Sequence, residues 1–161
     1  MKIVARTLTS AAFAPYGDVL EVTGTPDRII NQGLCGRYHD LAALDLHGGR
    51  AGVSLFDAQP RSLPYRLDMV ERHPDGAQCF VPMSAHPFLV IVAPDADGLP
   101  GTPEDFVTAP GQAVNYHRGT WHGVLTPLAA PGLFAVIDRI GPGANLEEHW
   151  FDTPFEVVAS P

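Results

Sequence analysis

The segment "YRLDMVERHPDGAQCFVPM", residues 65–83, gathers side chains able to do proton chemistry. Alternate side chains of a strand share a face, so Met69, Glu71 and His73 project one way and Val70 and Arg72 the other. A carboxylate and an imidazole on one wall can have their proton affinities tuned apart for general acid and base work. The "PDG" turn predicts a hairpin whose return strand aims Gln78, Phe80 and Pro82 at the same wall. A second segment, "GQAVNYHRGTWHGVL" (111–125), again sets polar side chains around a tight Gly turn. It supplies His122 as the fourth candidate, while His117 sits in the turn itself, where shaping the chain and acting in a site are equally good readings. A single strand histidine is usually a half-buried residue bonded to backbone. Two of them in paired motifs beside Glu71 and Gln78 point instead to a site. Two imidazoles and a carboxylate also suit zinc, nickel or iron with positions left open for substrate. Gln78 offers only a neutral amide oxygen, so metal binding by His73, His122, Glu71 and Gln78 is expected to be weak and optional.

The elements that position these groups read as short strands. Gly and Pro contribute 16 residues each, spread as punctuation between apolar runs. Candidate strands are 18–22, 52–58, 65–73, 78–83, 87–94, 113–117, 123–128 and 133–140. Only "TSAAFAPYG", capped by Thr9 or Ser10, and "TPEDF" at 102–106 suggest helix. The pattern predicts one all-β domain over residues 1–161, a barrel or sandwich. The 10 Lys+Arg against 18 Asp+Glu give a formal charge of −8 with no basic run, which argues against nucleic acid. The run "FLVIVA" is too short to span a bilayer, and no secretory apolar region opens the chain, so a soluble cytoplasmic protein is expected. Cys35 and Cys79 match neither a disulfide framework nor a thiolate zinc site, and read as free thiols. Glu147 and Glu148 read as solvated surface, and Trp121 and Trp150 as packing residues.

The paired motifs resemble those of the cupin superfamily, small β-barrels whose first motif carries His-x-His and an acidic residue and whose second supplies a lone His. Here those positions read Glu71, His73, Gln78 and His122, with two of the usual four ligands altered. "FAPYGDVLEV", "INQGLCGRYHDLA", "ERHPDGAQCFVPM", "VNYHRGTWHGVL" and "FAVIDR" further resemble the ureidoglycolate lyase (hydrolase) family. The resemblance implies a cupin-like double-stranded β-helix (jelly-roll) barrel with short peripheral helices. It also implies a homodimer that cleaves (S)-ureidoglycolate to glyoxylate and urea in allantoin degradation. No cofactor would be strictly required, although stimulation by nickel would be consistent. The acidic tail "NLEEHWFDTPFEVV" departs from what the resemblance leads one to expect.

The substrate is a carbinolamide, so a base must take its hydroxyl proton and an acid must protonate the departing urea nitrogen. His73 or His122 is the expected base, with another of Glu71, His73 and His122 as acid. Gln78 and Asn115 are candidates to hydrogen-bond the ureido group. Arg139 and Arg118 are candidates for the substrate carboxylate, with Arg72 ranked lower because it points away from His73. Asn31, Tyr38 and His39 are placed either at the barrel mouth or across a dimer interface. Rival readings are a metal-dependent cupin oxygenase, a non-catalytic small-molecule-binding cupin, or the same site acting on a related ureido acid.

Overall fold

The computed structural model describes residues 1–160. Its strands are β1 Lys2–Val4, β2 Arg6–Thr7, β3 Gly17–Leu20, β4 Arg28–Ile30, β5 Cys35–Arg37, β6 Arg50–Asp57, β7 Tyr65–Arg72, β8 Gln78–Pro82 and β9 Phe88–Ala93. There follow β10 Asp95–Ala96, β11 Leu99–Pro100, β12 Glu104–Val107, β13 Ala113–Tyr116, β14 Trp121–His122, β15 Thr126–Pro127, β16 Leu133–Ile140 and β17 Glu147–Val158. A short helix, α1 Ser10–Phe13, is capped by Thr9, whose hydroxyl accepts the Ala12 amide at 3.2 Å.

Two sheets carry the architecture, in the orders β1-β17-β7-β14-β9-β12-β2 and β3-β13-β8-β16-β6. The chain-adjacent strands β1 and β2 pair in parallel with β17 and β12, at opposite ends of the first order. That sheet therefore curls until it nearly closes, giving the barrel-like all-β fold expected of a cupin. Phe80, Val114, Phe134 and Val136 of the second sheet meet Phe88, Val90, Val92 and Phe106 of the first in one core. The curl of the first sheet encloses another, with Ile3, Leu67, Val70, Leu89, Ile91, Phe155 and Val157. Strand β9 is buried on both faces, which is why "FLVIVA" is an unbroken apolar run rather than an alternation.

The structure departs from the sequence expectations in four places. The expected strand at 123–128 is not continuous: β14 ends at His122 and only Thr126–Pro127 follow as β15, pairing with β9. "TPEDF" contributes strand β12, not a helix. So short a segment gains little from helical hydrogen bonds of its own, whereas β9 and β2 offer it backbone partners on both sides. The "PDG" turn is not a hairpin, because β7 pairs with β14 and β17 while β8 pairs with β13 and β16. The chain crosses there from one sheet to the other, and crosses back at residues 117–120 between β13 and β14. Finally, the acidic tail is not merely solvated surface: β17 runs along β7 and lays Glu148 directly opposite Glu71.

Two close backbone approaches lock this arrangement. Gly119, at φ +79, turns the chain at the second crossing, and its amide donates to the His73 carbonyl at 3.0 Å, tying the two crossings together. A Cβ on Gly17 would lie 2.0 Å from the Asn115 carbonyl oxygen, so β3 can pair with β13 only as glycine at that position. No helix among the described residues is long and apolar enough to cross a membrane.

Candidate active site

Both crossings deliver a histidine to the same place. His122 on β14 is the direct register partner of Glu71 on β7, so the two side chains share a face. His73, one residue past β7, returns to that face, and its Nε2 lies 3.9 Å from Glu71 Oε1. One ligand-capable atom from each of Glu71, His73 and His122 lies within 4.8 Å of the other two. The imidazole rings of His73 and His122 are 5.4 Å apart between centroids.

The backbone fixes how the histidines present themselves. His73 Nδ1 lies 2.7 Å from the Asn145 carbonyl oxygen, and His122 Nδ1 lies 3.0 Å from that of Gly123. A carbonyl only accepts, so each Nδ1 carries the proton and donates it. Each Nε2 is thereby left toward the site, and both are buried with no hydrogen-bond partner. Buried polar atoms are normally satisfied, so two such orphans side by side mark where a ligand belongs. Burial holds His122 neutral, lowering its pKa to about 3, with His73 nearby adding to the effect. Glu71 shifts the other way: burial raises its pKa, His73 opposes the shift, and the Glu148 carboxylate reinforces it.

The walls complete the site. Tyr116 lies flat on His122, with ring centroids 4.3 Å apart and planes 7° from parallel. Gln78 faces its register partners Tyr116 and Asp138, and its amide nitrogen donates to Asp138 Oδ2 at 3.2 Å. That bond commits the NH2 end of Gln78 and leaves Oε1 buried and unpartnered as an acceptor. A hollow of about 310 Å³ reaches Glu71, bordered by Met69, Val124, Glu148 and the exposed Trp150. The donor set of two imidazole nitrogens and a carboxylate fits a divalent ion, with the Gln78 oxygen as a weak further donor.

Glu71, His73 and His122 are thus drawn together, while Gln78 comes from the opposing sheet rather than a hairpin partner and is linked to them through its register partner Tyr116, which stacks on His122. Other expected residues are not brought there. Asn115 alternates with Tyr116 and pairs with Cys79, so it faces away from His122, and its amide donates to Asp18 at 2.9 Å and to the Ala43 carbonyl at 3.1 Å. Arg139 neighbours Asp138 on the opposite face and donates to the carbonyls of His47, Gly48 and Pro142. Arg118 is engaged by Asp45, and Arg72 by Glu147 and Asp95. His117 belongs to the turn, its Nε2 3.3 Å from Asp18 Oδ1. Asn31, Tyr38 and His39 lie on or beside the β4–β5 hairpin, where the Tyr38 hydroxyl donates to the Gly24 carbonyl and the His39 amide to Asp27. None of the three bonds to or stacks on the cluster. Sequence reasoning missed Tyr116, Glu148, Asp138 and the Asn145 carbonyl, each of which is placed by strand pairing or by the sheet crossings rather than by any local pattern.

With this geometry in place, similarity to known proteins decides the family. The family model for ureidoglycolate lyase matches residues 1–158. The chain belongs to the ureidoglycolate lyase family. It is 59% identical to a Rhodobacter capsulatus ureidoglycolate lyase, over 97% of this chain and 98% of that protein. It is 51% identical to a Chelativorans ureidoglycolate lyase, over 97% and 96%, and 51% identical to ureidoglycolate lyase 2 of Rhizobium meliloti, over 94% of each. The family match includes the acidic tail, so β17 is part of the ureidoglycolate lyase fold and no departure from it.

Proposed function

We propose that this protein releases glyoxylate and urea from (S)-ureidoglycolate, as a step of allantoin degradation. The observation that carries the reading is the pair of buried, unpartnered Nε2 atoms of His73 and His122 beside Glu71, in a chain matching the family over residues 1–158.

In the reaction the substrate hydroxyl loses its proton and the carbon–nitrogen bond breaks, leaving its electron pair on the ureido nitrogen, which takes up a proton. Atoms balance without water or an oxidant. His122, held neutral at a pKa of about 3, is too weak a base to take the hydroxyl proton, and its Nε2 lone pair instead orients that hydroxyl. His73 Nε2 takes the proton. Glu71, whose raised pKa favours the carboxylic acid, protonates the leaving nitrogen. The imidazolium and carboxylate left behind form an ion pair whose Nε2 and Oε1 lie 3.9 Å apart in the free site, and a bridging water, or closure of that gap by the new charges, returns the proton from His73 to Glu71. The free Gln78 oxygen accepts a ureido N–H. Glu71, His73 and His122 would hold a divalent ion through these same atoms, where it would supply Lewis-acid polarisation of the substrate hydroxyl or carboxylate in place of the His73–Glu71 proton exchange; nickel is expected to be stimulatory without being required.

Two features of setting accompany this reading. The enzyme works in the cytoplasm, where the free thiols Cys35 and Cys79 stay reduced. It works as a homodimer, which would cover edge strand β6, whose Val53 and Leu55 are exposed.

The test incubates the protein with (S)-ureidoglycolate and follows glyoxylate and urea, with and without chelator, nickel and oxygen. Equal release of both products that survives chelation supports acid–base cleavage. The absence of turnover under every metal condition overturns the lyase reading. Product formation that needs oxygen would favour an iron oxygenase, since two histidines and one carboxylate are also the ligands of that class.

A further inference from the structure

The cleft that receives a carboxylate substrate offers it no free cation. Glu71, Glu148 and Asp138 surround the site, while Arg72, Arg118 and Arg139 are each spent on other partners. A second carboxylate from the substrate would meet repulsion there.

The missing charge stands on the β4–β5 hairpin. Arg28 and Arg37 are direct register partners, so their side chains emerge side by side on one face. Neither has an ion-pair partner among the described residues. Like charges placed opposite each other destabilise a hairpin, and an isolated two-stranded hairpin is marginal in water. Every residue from Arg28 to Arg37 is nevertheless exposed, with Ile29 61% and Leu34 88% accessible. Strands β4 and β5 pair only with each other and pack chiefly against each other and the Asn31–Gly33 turn between them, not against β7 or β14, which carry the cluster. The hairpin carries two cations and the exposed Ile29, Ile30 and Leu34; the cleft rim carries carboxylates and the exposed aromatic Trp150, at 64% accessibility.

We propose that this arm docks on a second copy of the chain and that Arg28 and Arg37 hold the substrate carboxylate in the partner's cleft. The two guanidinium groups then trade mutual repulsion for a charge-assisted grip on one anion. The proposal rests on the lyase reading for the identity of that anion. It also gives Asn31, Tyr38 and His39 a place at the mouth of the partner's site.

Subunit complementation tests it. The double variant R28A/R37A is expected to raise KM for ureidoglycolate about 10- to 100-fold, with R28K/R37K recovering part of the loss. E71Q abolishes turnover in its own cleft. When R28A/R37A and E71Q are mixed and allowed to exchange subunits, half the dimers are mixed, and each holds one cleft with both Glu71 and an intact arm. Activity should rise to about a quarter of wild type at limiting substrate. Activity no higher than the mean of the two parents overturns the docking in trans. Titration with glyoxylate, which needs no turnover, separates this proposal from the lyase reading. Wild type that binds glyoxylate but turns nothing over sinks the lyase reading alone, whereas equal glyoxylate affinity in wild type and R28A/R37A sinks the arm proposal alone.

Discussion

Asp105 sits on β12 opposite Ile91, facing the core enclosed by the curled sheet, and is fully buried with neither carboxylate oxygen hydrogen-bonded to another group. Burial raises its pKa from 3.8 to about 8, opposed only by the neighbouring Phe106 amide. The folded protein therefore holds a proton at neutral pH that the unfolded chain releases. Because the folded pKa is the higher one, the group's stabilising contribution is complete below 3.8, is lost as pH rises towards 8, and changes no further above it. At 1.36 kcal/mol per pH unit, the loss between pH 5 and pH 8 is about 4 kcal/mol. Asp105→Asn keeps the shape and removes the ionisation. Urea unfolding of both proteins from pH 5 to pH 9 isolates the effect, since other titrating groups cancel in the difference. The variant should gain on wild type by about 4 kcal/mol over that range and then run parallel to it. Parallel curves throughout would refute the argument, meaning that Asp105 finds a partner or water in solution that the folded geometry does not provide.

Four further outcomes follow from the structure. His122→Ala or His73→Ala should each lower kcat/KM about 10²- to 10⁴-fold with the fold retained by circular dichroism; a change under threefold in either would remove that residue from the mechanism. The pH profile of kcat/KM should be bell-shaped, because the Glu71–His73 pair must hold one proton between its members. Glu148→Gln removes the charge that helps raise the Glu71 pKa, so the alkaline limb should move to lower pH; an unmoved or raised limb counts against Glu71 as the acid. Asn115→Ala should cost about 1–3 kcal/mol of stability by releasing Asp18 and the Ala43 carbonyl, yet leave KM unchanged. A raised KM without loss of stability would return Asn115 to the substrate.

Period-two alternation was sufficient to place Glu71 with His73 and to separate Arg72 from them, because a strand offers its side chains only two faces. Within β13 the same rule puts Tyr116 and Asn115 on opposite faces, but the turn at 117–120 breaks the alternation, so it is the stacking of Tyr116 on His122 that shows which of them faces the site. Asn115 belongs to the same polar run, "NYHRGTWH", as His122 yet faces away from it, and Arg139 alternates with Asp138, so neither reaches the cluster. The barrel itself was legible from its punctuation by Gly and Pro. What local pattern could not carry was the partner of each strand. "PDG" has the chemistry of a hairpin turn, but only the distant strands β14 and β17 decide that β7 stays in the other sheet. For the same reason Glu148 looked like surface until β17 was laid against β7, and Asp105 was hidden in a segment too short to declare its own conformation.

The parallel pairing of Lys2, Ile3 and Val4 with Glu156, Val157 and Val158 has a consequence for the birth of the protein. A nascent chain emerging from the ribosome can assemble β8, β9, β12, β13 and β16 as they appear, but the curl of the first sheet has no closing strand until residues near 158 are free. Until then the first strand waits unpaired and the apolar side of Leu89, Ile91 and Val70 stands open to water. Closing a loop of nearly the whole chain gives the fold a high contact order, so barrel closure is the late, slow step, and the one at which a holding chaperone would have most to protect.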